Sequence, residues 1–426
     1  MNESESALIQ AVADDRDRIV DLCRGLCRIN TVNPYAGDAR ACGEKAGQEF
    51  LAPILEAMGA RVTLFDCPDD IYARMGVLGP AERNFRDRPN LVAEFDFDEA
   101  GPTVVINGHM DTVGIDSMSI DPLAAEVRDG RIWGRGTSDC KGGITTAVSA
   151  LHCLAESGAN LCGRVIFESV VDEECNGSGA GTLACLDAGY TGDVAVFVDG
   201  NDDALTLGCS GCLTADLHVE GLEGHAAYGT GVSAIEKALA VKAAIDEFKR
   251  DRERERPDAR VNLGIFRAGV HPAVVPGSAY LSLNCVYEVD EAARALERRG
   301  IWGAGPIRED FEARIRVAEA TDPWLVEHPS RITWVKDLIP FSGPEDMPLA
   351  SRVEGAYSAV NGKLPTRQHM LGWSDASYYS ALGRMPTVLY GPGVTGKPHS
   401  PDEYVEIDNL VRCTQVLALF LLRELA

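Results

Sequence analysis

The stretch PTVVINGHMDTV, residues 102–113, begins as an apolar run and ends in a histidine and an aspartate. The run predicts a buried strand, and His109 lies where that strand ends. Two further apolar runs follow the same pattern: 164–171, which leads to Glu174, and 194–198, which leads to Asp199. Helical segments separate these runs, so the pattern predicts a mostly parallel α/β sheet flanked by helices, with functional groups at the carboxyl ends of its strands.

Five candidate metal ligands lie at or near such strand ends. Asp139 lies within the glycine-rich stretch GRGTSDCKGG, residues 134–143. Two divalent ions held roughly 3.5–4 Å apart require one carboxylate that bridges them and further nitrogen and oxygen ligands on each side. The predicted set is Asp139 as the bridge, His109 and Asp199 on one ion, and Glu174 and His399 on the other.

Two acidic side chains beside these ligands are predicted to take part in catalysis. Glu173 adjoins Glu174 and can face an activated water while its neighbour binds metal, which is the position of a general base. Asp111 closely follows His109 in the chain, so we expect it to fix the tautomer of that histidine. Two carboxylates remain rivals, Asp172 and Asp202, and Asp202 is an alternative to Asp199 as a ligand.

The length of the chain predicts two domains. Its 426 residues exceed the roughly 250–300 at which a single hydrophobic core stops growing. After residue 211 the pattern changes to period-two strands and helices in the order strand, helix, strand, strand, helix. This order predicts a small α+β domain, residues 212–321, which we name the lid, inserted into a larger metal-binding domain formed by residues 1–211 and 322–426.

Charge and cysteine content restrict the function classes. The chain carries 40 Lys and Arg against 65 Asp and Glu, a formal net charge of -25, which disfavours nucleic acid and anionic membrane surfaces as partners. No secretory signal or membrane-spanning stretch is evident. The 13 cysteines are odd in number and lack the paired spacing of a zinc cluster, so we expect reduced thiols and a cytoplasmic protein.

Taken together, the motifs resemble the dizinc aminoacylase and peptidase family that includes acetylornithine deacetylase, succinyl-diaminopimelate desuccinylase and carboxypeptidase G. The resemblance covers nearly the whole chain. It rests on GHMDTV at 108–113, the glycine-rich stretch 134–143, DEE at 172–174, GHA at 224–226, VPG at 275–277 and PHS at 398–400.

This resemblance implies the five ligands named above, two divalent ions, Glu173 as the base, and a lid that commonly forms a homodimer interface. It also implies a cis peptide between Asp139 and Cys140. In such enzymes the lid histidine, here His225, often enters the active site from the partner subunit and binds the substrate carbonyl oxygen. Asn284 matches a second lid position that faces substrate. Zinc is the expected metal, with cobalt and manganese as alternatives, since the same ligands accept all three.

Two positions depart from the family pattern. Relatives that grip a substrate carboxylate often carry arginine where this chain has Val286 and Ser377. Arginine is the natural clamp for a carboxylate because its planar fork donates two parallel hydrogen bonds. Arg267 and Arg384 are candidate replacements whose positions the sequence does not fix, so the sequence leaves open how a substrate carboxylate is held.

The sequence therefore predicts a metal-dependent hydrolase that cleaves an amide C–N bond of a small molecule, an N-acyl amino acid or a related acylated amine. A metallo-dipeptidase or carboxypeptidase with the same two-metal site is the alternative within enzymes. A metal-stabilised binding protein without activity is the alternative outside them, and the retention of every ligand and of the base argues against it.

Overall fold

The computed structural model describes residues 1–97, 99–174 and 178–426. Its helices are α1 (Glu3–Asp14), α2 (Arg16–Arg28), α3 (Lys45–Ala57), α4 (Ile71–Arg74), α5 (Lys141–Glu156), α6 (Ala180–Asp187), α7 (Ala234–Glu255), α8 (Val289–Arg299), α9 (Gly305–Glu319), α10 (Pro323–Glu327), α11 (Pro348–Asn361), α12 (Ala376–Ala381) and α13 (Ile407–Leu425). Its strands are β1 (Arg61–Asp66), β2 (Pro89–Asp96), β3 (Glu99–His109), β4 (Glu126–Arg128), β5 (Arg131–Trp133), β6 (Cys162–Val170), β7 (Val194–Phe197), β8 (Ala204–Cys209), β9 (Gly211–Glu220), β10 (Gly224–His225), β11 (Val261–Ala268), β12 (Val274–Val275), β13 (Ser278–Tyr287), β14 (Arg331–Leu338), β15 (Phe341–Ser342), β16 (Thr366–Met370), β17 (Thr387–Leu389) and β18 (Tyr404–Glu406).

The larger sheet has strands in the order β1-β2-β6-β3-β7-β17-β8-β15, with β16 also paired to β8. Its centre is parallel: β3 runs parallel to β6 and β7, and β17 runs parallel to β7. Antiparallel strands flank this centre, for example β2 against β6 and β1 against β2. The predicted α/β class with a parallel core flanked by helices is confirmed.

The apolar runs that predicted these strands are explained by burial on both faces of the sheet. Val104 and Ile106 of β3 pack in one core with side chains of α2, α5 and α13. Val105, between them, packs in a second core on the other face with Cys185 of α6 and Tyr379 of α12. Since successive side chains of a strand point to opposite faces, a strand covered by helices on both sides is apolar without interruption.

A separate small sheet has the antiparallel order β11-β13-β9-β14, and we name it the lid sheet. Helices α7 and α9 pack on one of its faces, where alternate residues of β13 such as Leu281 and Leu283 are buried. The opposite face carries half-buried residues such as Ser282 and Asn284. Because β14 pairs along β9, the lid sheet continues past residue 321, where the sequence pattern placed the end of the lid.

The structure also bears on the predicted absence of membrane spans and disulfides. Among the helices of the described ranges, none combines the length and the apolar character needed to cross a bilayer. Each cysteine in those ranges has a free thiol, and most are buried, for example Cys23 and Cys27 in α2. Buried thiols of this kind act as small apolar side chains in the core.

Candidate metal centre

Asp139 faces both predicted histidine ligands at the carboxyl edge of the parallel strands. Its Oδ1 lies 2.9 Å from Nε2 of His109, the last residue of β3, and its Oδ2 lies 3.4 Å from Nε2 of His399. The same His399 nitrogen lies 3.0 Å from Oε1 of Glu174, which follows β6. The two oxygens of one carboxylate therefore point to two different histidines, as a bridging ligand requires.

The candidate ligand atoms fall into two groups. Those of Asp139, Glu174 and His399 lie within 4.8 Å of one another, and so do those of His109, Asp199 and Cys140. The two groups match the predicted division of ligands between two ions. The Cys140 thiol was missed by the sequence analysis, because nothing in its spacing separates a ligand from a buried core cysteine.

The chemistry of this cluster fits divalent metal ions. His109 Nε2 and Asp139 Oδ1 are buried, and although they lie 2.9 Å from each other, neither makes a well-oriented hydrogen bond to a residue that the structure describes. Buried polar atoms are normally satisfied, and imidazole nitrogens and carboxylate oxygens are the ligands that zinc prefers. The Nδ1 atom of His109 lies 3.0 Å from the main-chain oxygen of Asp111 and donates to it, so in the neutral ring Nε2 is the nitrogen that can bind metal.

Asp111 has a different main contact from the one predicted. Its carboxylate lies 3.6 Å from Nδ1 of His109, so the main-chain oxygen is the nearer acceptor. The carboxylate instead accepts hydrogen bonds from the main-chain N–H of Glu173 at 3.2 Å and of Glu174 at 3.0 Å. The Asn33 amide donates to it at 2.8 Å. Asp111 therefore fixes the turn that separates the candidate base from the adjacent ligand.

The rival carboxylates are engaged elsewhere. Asp202 is paired with Arg412 and accepts a hydrogen bond from the Cys413 thiol at 3.2 Å. Asp172 lies 3.3 Å from the guanidinium of Arg88 and accepts from the Tyr72 hydroxyl at 3.2 Å. These contacts leave Asp199 as the carboxylate grouped with His109.

Close backbone packing holds the cluster in place. A Cβ atom added to Gly143, near the start of α5, would lie 2.1 Å from the main-chain oxygen of Val198, so only glycine allows this approach. The Asp139-Cys140 peptide is cis, as the family resemblance implies. Glu403 accepts a hydrogen bond from the main-chain N–H of Asp139 at 3.3 Å. The close packing of Gly143 against Val198 and the hydrogen bond from Asp139 to Glu403 thus hold Asp139, the candidate bridging ligand, in position.

Negative charge exceeds positive charge in the cluster. Burial, followed by the charge of Asp139, raises the pKa of Asp199 to about 7. Hydrogen bonds to Asp139 and Glu174 raise the pKa of His399 to about 11. Burial and the surrounding acids also raise the pKa of Glu173 well above its usual range. A site in which Asp199 and Glu173 resist ionisation and His399 retains its proton is one that bound cations would stabilise.

His225 does not join the cluster within one chain. It lies exposed in β10, and its Nδ1 accepts a hydrogen bond from the main-chain N–H of Ala227 at 3.2 Å. In the described part of the chain, no hydrogen bond or ion pair links it to the candidate ligands. Asn284 lies in β13, where its Oδ1 accepts from the Cys212 thiol at 2.7 Å and from the Thr214 hydroxyl at 3.1 Å.

A cavity of about 570 Å³ separates the lid sheet from the loop that contains residues 80–83. Asn284 lines it, together with Tyr35, Arg83 and Lys336. The sequence analysis missed the last three of these, because they lie far apart in the chain. A larger cavity, of about 800 Å³, lies between α1 and α5, and none of the candidate ligands lines it.

The sequence of this chain is similar to known sequences over most of its length. Residues 105–423 match the family model described as peptidase family M20/M25/M40. An N-formyl-4-amino-5-aminomethyl-2-methylpyrimidine deformylase from Halalkalibacterium halodurans is 27% identical over 451 residues, which cover 97% of this chain and 96% of the relative. A succinyl-diaminopimelate desuccinylase from Methylobacterium radiotolerans is 29% identical over 357 residues, which cover 79% of this chain and 84% of the relative.

Solved structures agree on the fold. The di-peptidase Dug1p from Saccharomyces cerevisiae superposes with a TM-score of 0.74 at 15% identity, covering 99% of this chain and 98% of that one. A tripeptidase from Staphylococcus aureus superposes with a TM-score of 0.71 at 20% identity, covering 96% of this chain and 99% of that one. At such identities the likeness concerns the arrangement of helices and strands alone.

Proposed function

The chain belongs to peptidase family M20/M25/M40 and is a dinuclear metal hydrolase, and from this premise we propose that it cleaves the amide C–N bond of an N-acyl amino acid or a related acylated amine. One observation carries the proposal: Asp139 faces His109 and His399 with different oxygens, at 2.9 Å and 3.4 Å. The names of the two relatives describe the removal of a formyl or succinyl group, which supports a deacylase over a peptidase.

Five side chains would hold the ions: His109, Asp139, Glu174, Asp199 and His399. When bound, two divalent ions supply Lewis-acid chemistry, which lowers the pKa of water and polarises a carbonyl group. We propose zinc, because a set of imidazoles and carboxylates suits it; cobalt and manganese suit the same set.

Glu173 moves the proton in this proposal. Its carboxylate accepts a proton from the attacking water and then returns it to the nitrogen of the leaving amine. Burial raises the pKa of Glu173 above its usual range, which makes its carboxylate a stronger base than an exposed glutamate. The hydrogen bond from its main-chain N–H to Asp111, at 3.2 Å, holds it beside the ligands.

We further propose that His225 acts across a homodimer, entering the active site of the partner subunit from the lid. Its Nδ1 accepts a hydrogen bond from Ala227, so its Nε2 carries the proton. A protonated Nε2 on an exposed side chain can donate to the oxygen of the substrate carbonyl as negative charge develops there. Asn284 would contact substrate from the lid sheet. A reducing, cytoplasmic location fits the free thiols.

The test is a substrate panel with metal removed and restored. Purified protein is assayed for release of free amine from N-formyl, N-acetyl and N-succinyl amino acids, an N-formyl aminomethylpyrimidine, and matched dipeptides. We expect chelator-sensitive hydrolysis of acylated amines, about two metal ions per chain, and recovery when zinc is restored. Faster hydrolysis of dipeptides than of every acylated amine would instead identify a peptidase.

An Asp139→Asn variant is the control for the metal requirement. It keeps the shape of the side chain but weakens binding to both ions, since an amide is a poorer ligand than a carboxylate. We expect loss of bound metal and of turnover together. Full turnover by this variant would contradict the role of Asp139 as the bridge.

A further inference from the structure

Two loops that carry candidate metal ligands meet at a buried ion pair. Arg135 lies four residues before Asp139, and Glu403 lies four residues after His399. The guanidinium of Arg135 and the carboxylate of Glu403 are 2.6 Å apart, and their side chains are only 3% and 0% exposed. Neither side chain is a candidate ligand or base, so the pair acts on the site through the two loops that it joins.

Glu403 holds the loop of the bridging ligand. One oxygen of its carboxylate accepts hydrogen bonds from the main-chain N–H groups of Ser138 at 2.9 Å and of Asp139 at 3.3 Å. The other oxygen accepts the hydrogen bond from Arg135. The main-chain oxygen of Glu403 accepts a further bond from the N–H of Gly134 at 3.0 Å. These contacts tie the turn that carries Asp139 to a residue 264 positions later in the chain.

The guanidinium of Arg135 extends this support to the loop of His399. Its Nη1 atom, which contacts Glu403, also donates to the main-chain oxygen of Ser400 at 3.3 Å. Its Nε and Nη2 atoms both donate to the main-chain oxygen of Gly114, at 3.3 Å and 3.2 Å. A guanidinium can reach three acceptors at once because its N–H groups lie in one plane and point in fixed directions.

His399 depends on such support more than the other candidate histidine ligand. The Nδ1 atom of His109 donates to the main-chain oxygen of Asp111, which fixes the ring of His109. Among the residues that the structure describes, the His399 ring makes its polar contacts through Nε2 alone, to Asp139 and Glu174. The side chain of His399 is 54% exposed, and its φ of +61° lies in the left-handed region, which is unfavourable for a residue with a side chain. A ligand ring that lacks a second hydrogen bond is oriented mainly by its main chain.

We propose that Arg135 is a positioning residue for the metal ion that Glu174 and His399 would hold. This inference rests on the proposed two-metal site and assigns a role to a residue outside the ligand set. The hydrogen bond to the main-chain oxygen of Ser400, which follows His399, keeps the imidazole directed at the site. Loss of that bond should release this ion before the one that His109 would hold, because the His109 ring is fixed without Arg135.

The test measures bound metal in an Arg135→Lys variant. Lysine keeps the charge that Glu403 requires, but one ammonium group does not reproduce the planar fork that reaches Gly114 and Ser400 together. Zinc-loaded protein is dialysed against a weak chelator, and we expect about two ions per wild-type chain and about one per variant chain by plasma mass spectrometry. The affinity for the released ion should fall roughly 10–100-fold, the usual loss when an outer partner of a ligand is removed. Two ions held with wild-type affinity would overturn the proposal.

Arg252→Lys is the matched control. Arg252, in α7 of the lid, is also a buried arginine, with its side chain only 11% exposed. It pairs with Glu291 at 2.9 Å and 3.2 Å and donates to the main-chain oxygen of Val286 at 3.1 Å. This variant should keep both ions. Loss of an ion from both variants alike would overturn the specific role of Arg135, because disruption of any buried arginine pair would then suffice.

Two single-site proteins show which ion is affected. His109→Ala leaves the ion of Glu174 and His399, and His399→Ala leaves the ion of His109 and Asp199. Adding Arg135→Lys should weaken zinc binding roughly 10–100-fold in the first protein and less than about 3-fold in the second, measured by competition with a chromogenic chelator. Equal losses in the two proteins, or a larger loss in His399→Ala, would overturn the assignment.

The Asp139→Asn variant separates this inference from the proposed function. Loss of both ions from Asp139→Asn, with both retained by Arg135→Lys, would keep the metal site and refute the role of Arg135. Retention of both ions by Asp139→Asn would refute the proposed site itself. Neither measurement uses a substrate, so the result for Arg135 is the same whether the protein is a deacylase or a peptidase.

Discussion

Gly143→Ala should damage the metal centre without touching a ligand. The added Cβ atom would lie 2.1 Å from the main-chain oxygen of Val198 and 2.8 Å from its carbonyl carbon. Both are backbone atoms directly before Asp199, so they cannot rotate away as a side chain could. Either the start of α5 or the end of β7 must move, and each carries part of the candidate metal site.

The expected cost follows from two opposing effects. Overpacking of a well-packed site costs roughly 1–3 kcal/mol, and occasionally more. Replacing a helical glycine by alanine returns at most about 1 kcal/mol through helix propensity. Because the clash is with backbone atoms, the upper half of this range applies, and the net loss of unfolding free energy should be about 1–2 kcal/mol. At roughly 2.1 cal/mol/K of unfolding entropy per residue, this loss lowers the thermal midpoint of a chain of 426 residues by about 1–2 °C. Displacement of Asp199 should also weaken zinc binding.

Gly355→Ala is the matched control. Gly355 also lies inside a helix, α11, but the nearest atom to an added Cβ is the Arg423 guanidinium nitrogen at 3.8 Å, an ordinary contact distance. This variant should be as stable as wild type or more stable by about 0.5–1 kcal/mol. Thermal unfolding and metal content are measured for both variants. A Gly143→Ala protein with wild-type midpoint and two tightly bound ions would refute the packing argument.

Three other predictions concern the site and its acids. Glu173→Gln should keep both metal ions but lower kcat by roughly 10²–10⁴-fold in steady-state assays, and wild-type turnover would exclude Glu173 as the base. Asp111→Ala removes the acceptor for the main-chain N–H groups of Glu173 and Glu174, so zinc affinity in a competitive chelator titration should fall roughly 10–100-fold, and unchanged affinity would contradict this positioning role. Burial raises the pKa of Glu44 to about 7 and of Glu168 to about 8. Both folded-state pKa values exceed the pKa of a glutamate in the unfolded chain. The stability that Glu44 and Glu168 contribute is therefore present at acidic pH and is lost as the pH rises through 7 and 8. Chelated protein should have a lower thermal midpoint at pH 8.5 than at pH 5.5, and a higher midpoint at pH 8.5 would contradict the burial of these acids.

The parallel core and the candidate ligands were predictable because their signals are local. Each of three apolar runs ends beside a candidate ligand, and a buried parallel strand must be apolar along its whole length. The detailed role of Asp111 was not predictable from the same pattern. Spacing suggested a contact between its carboxylate and His109, whereas the main-chain oxygen is the nearer acceptor, at 3.0 Å. A hydrogen bond of that kind depends on how the turn folds and not on which side chains it contains.

The extent of the lid sheet shows a similar limit. No local sequence signal assigns strand β14 to the lid, because three helices, α8, α9 and α10, separate it from the preceding strand of that sheet. Its register is set by pairing with β9, which lies more than a hundred residues earlier in the chain. Pairing between distant strands is a tertiary interaction, so the pattern along the chain could not place this boundary.

The sequence by itself determined the parallel α/β core and the residue types of a two-metal site, since both follow from short-range patterns of apolar residues and from ligands placed at strand ends. The tertiary structure alone decided that Cys140 joins the group of His109 and Asp199, and that Arg83 and Lys336 line one cavity. Arg83 and Lys336 meet because the loop before β2 and the edge strand of the lid sheet, β14, line the same cavity. No local sequence pattern predicts this proximity, because it depends on how the lid sheet packs against a loop that is distant from it in the chain.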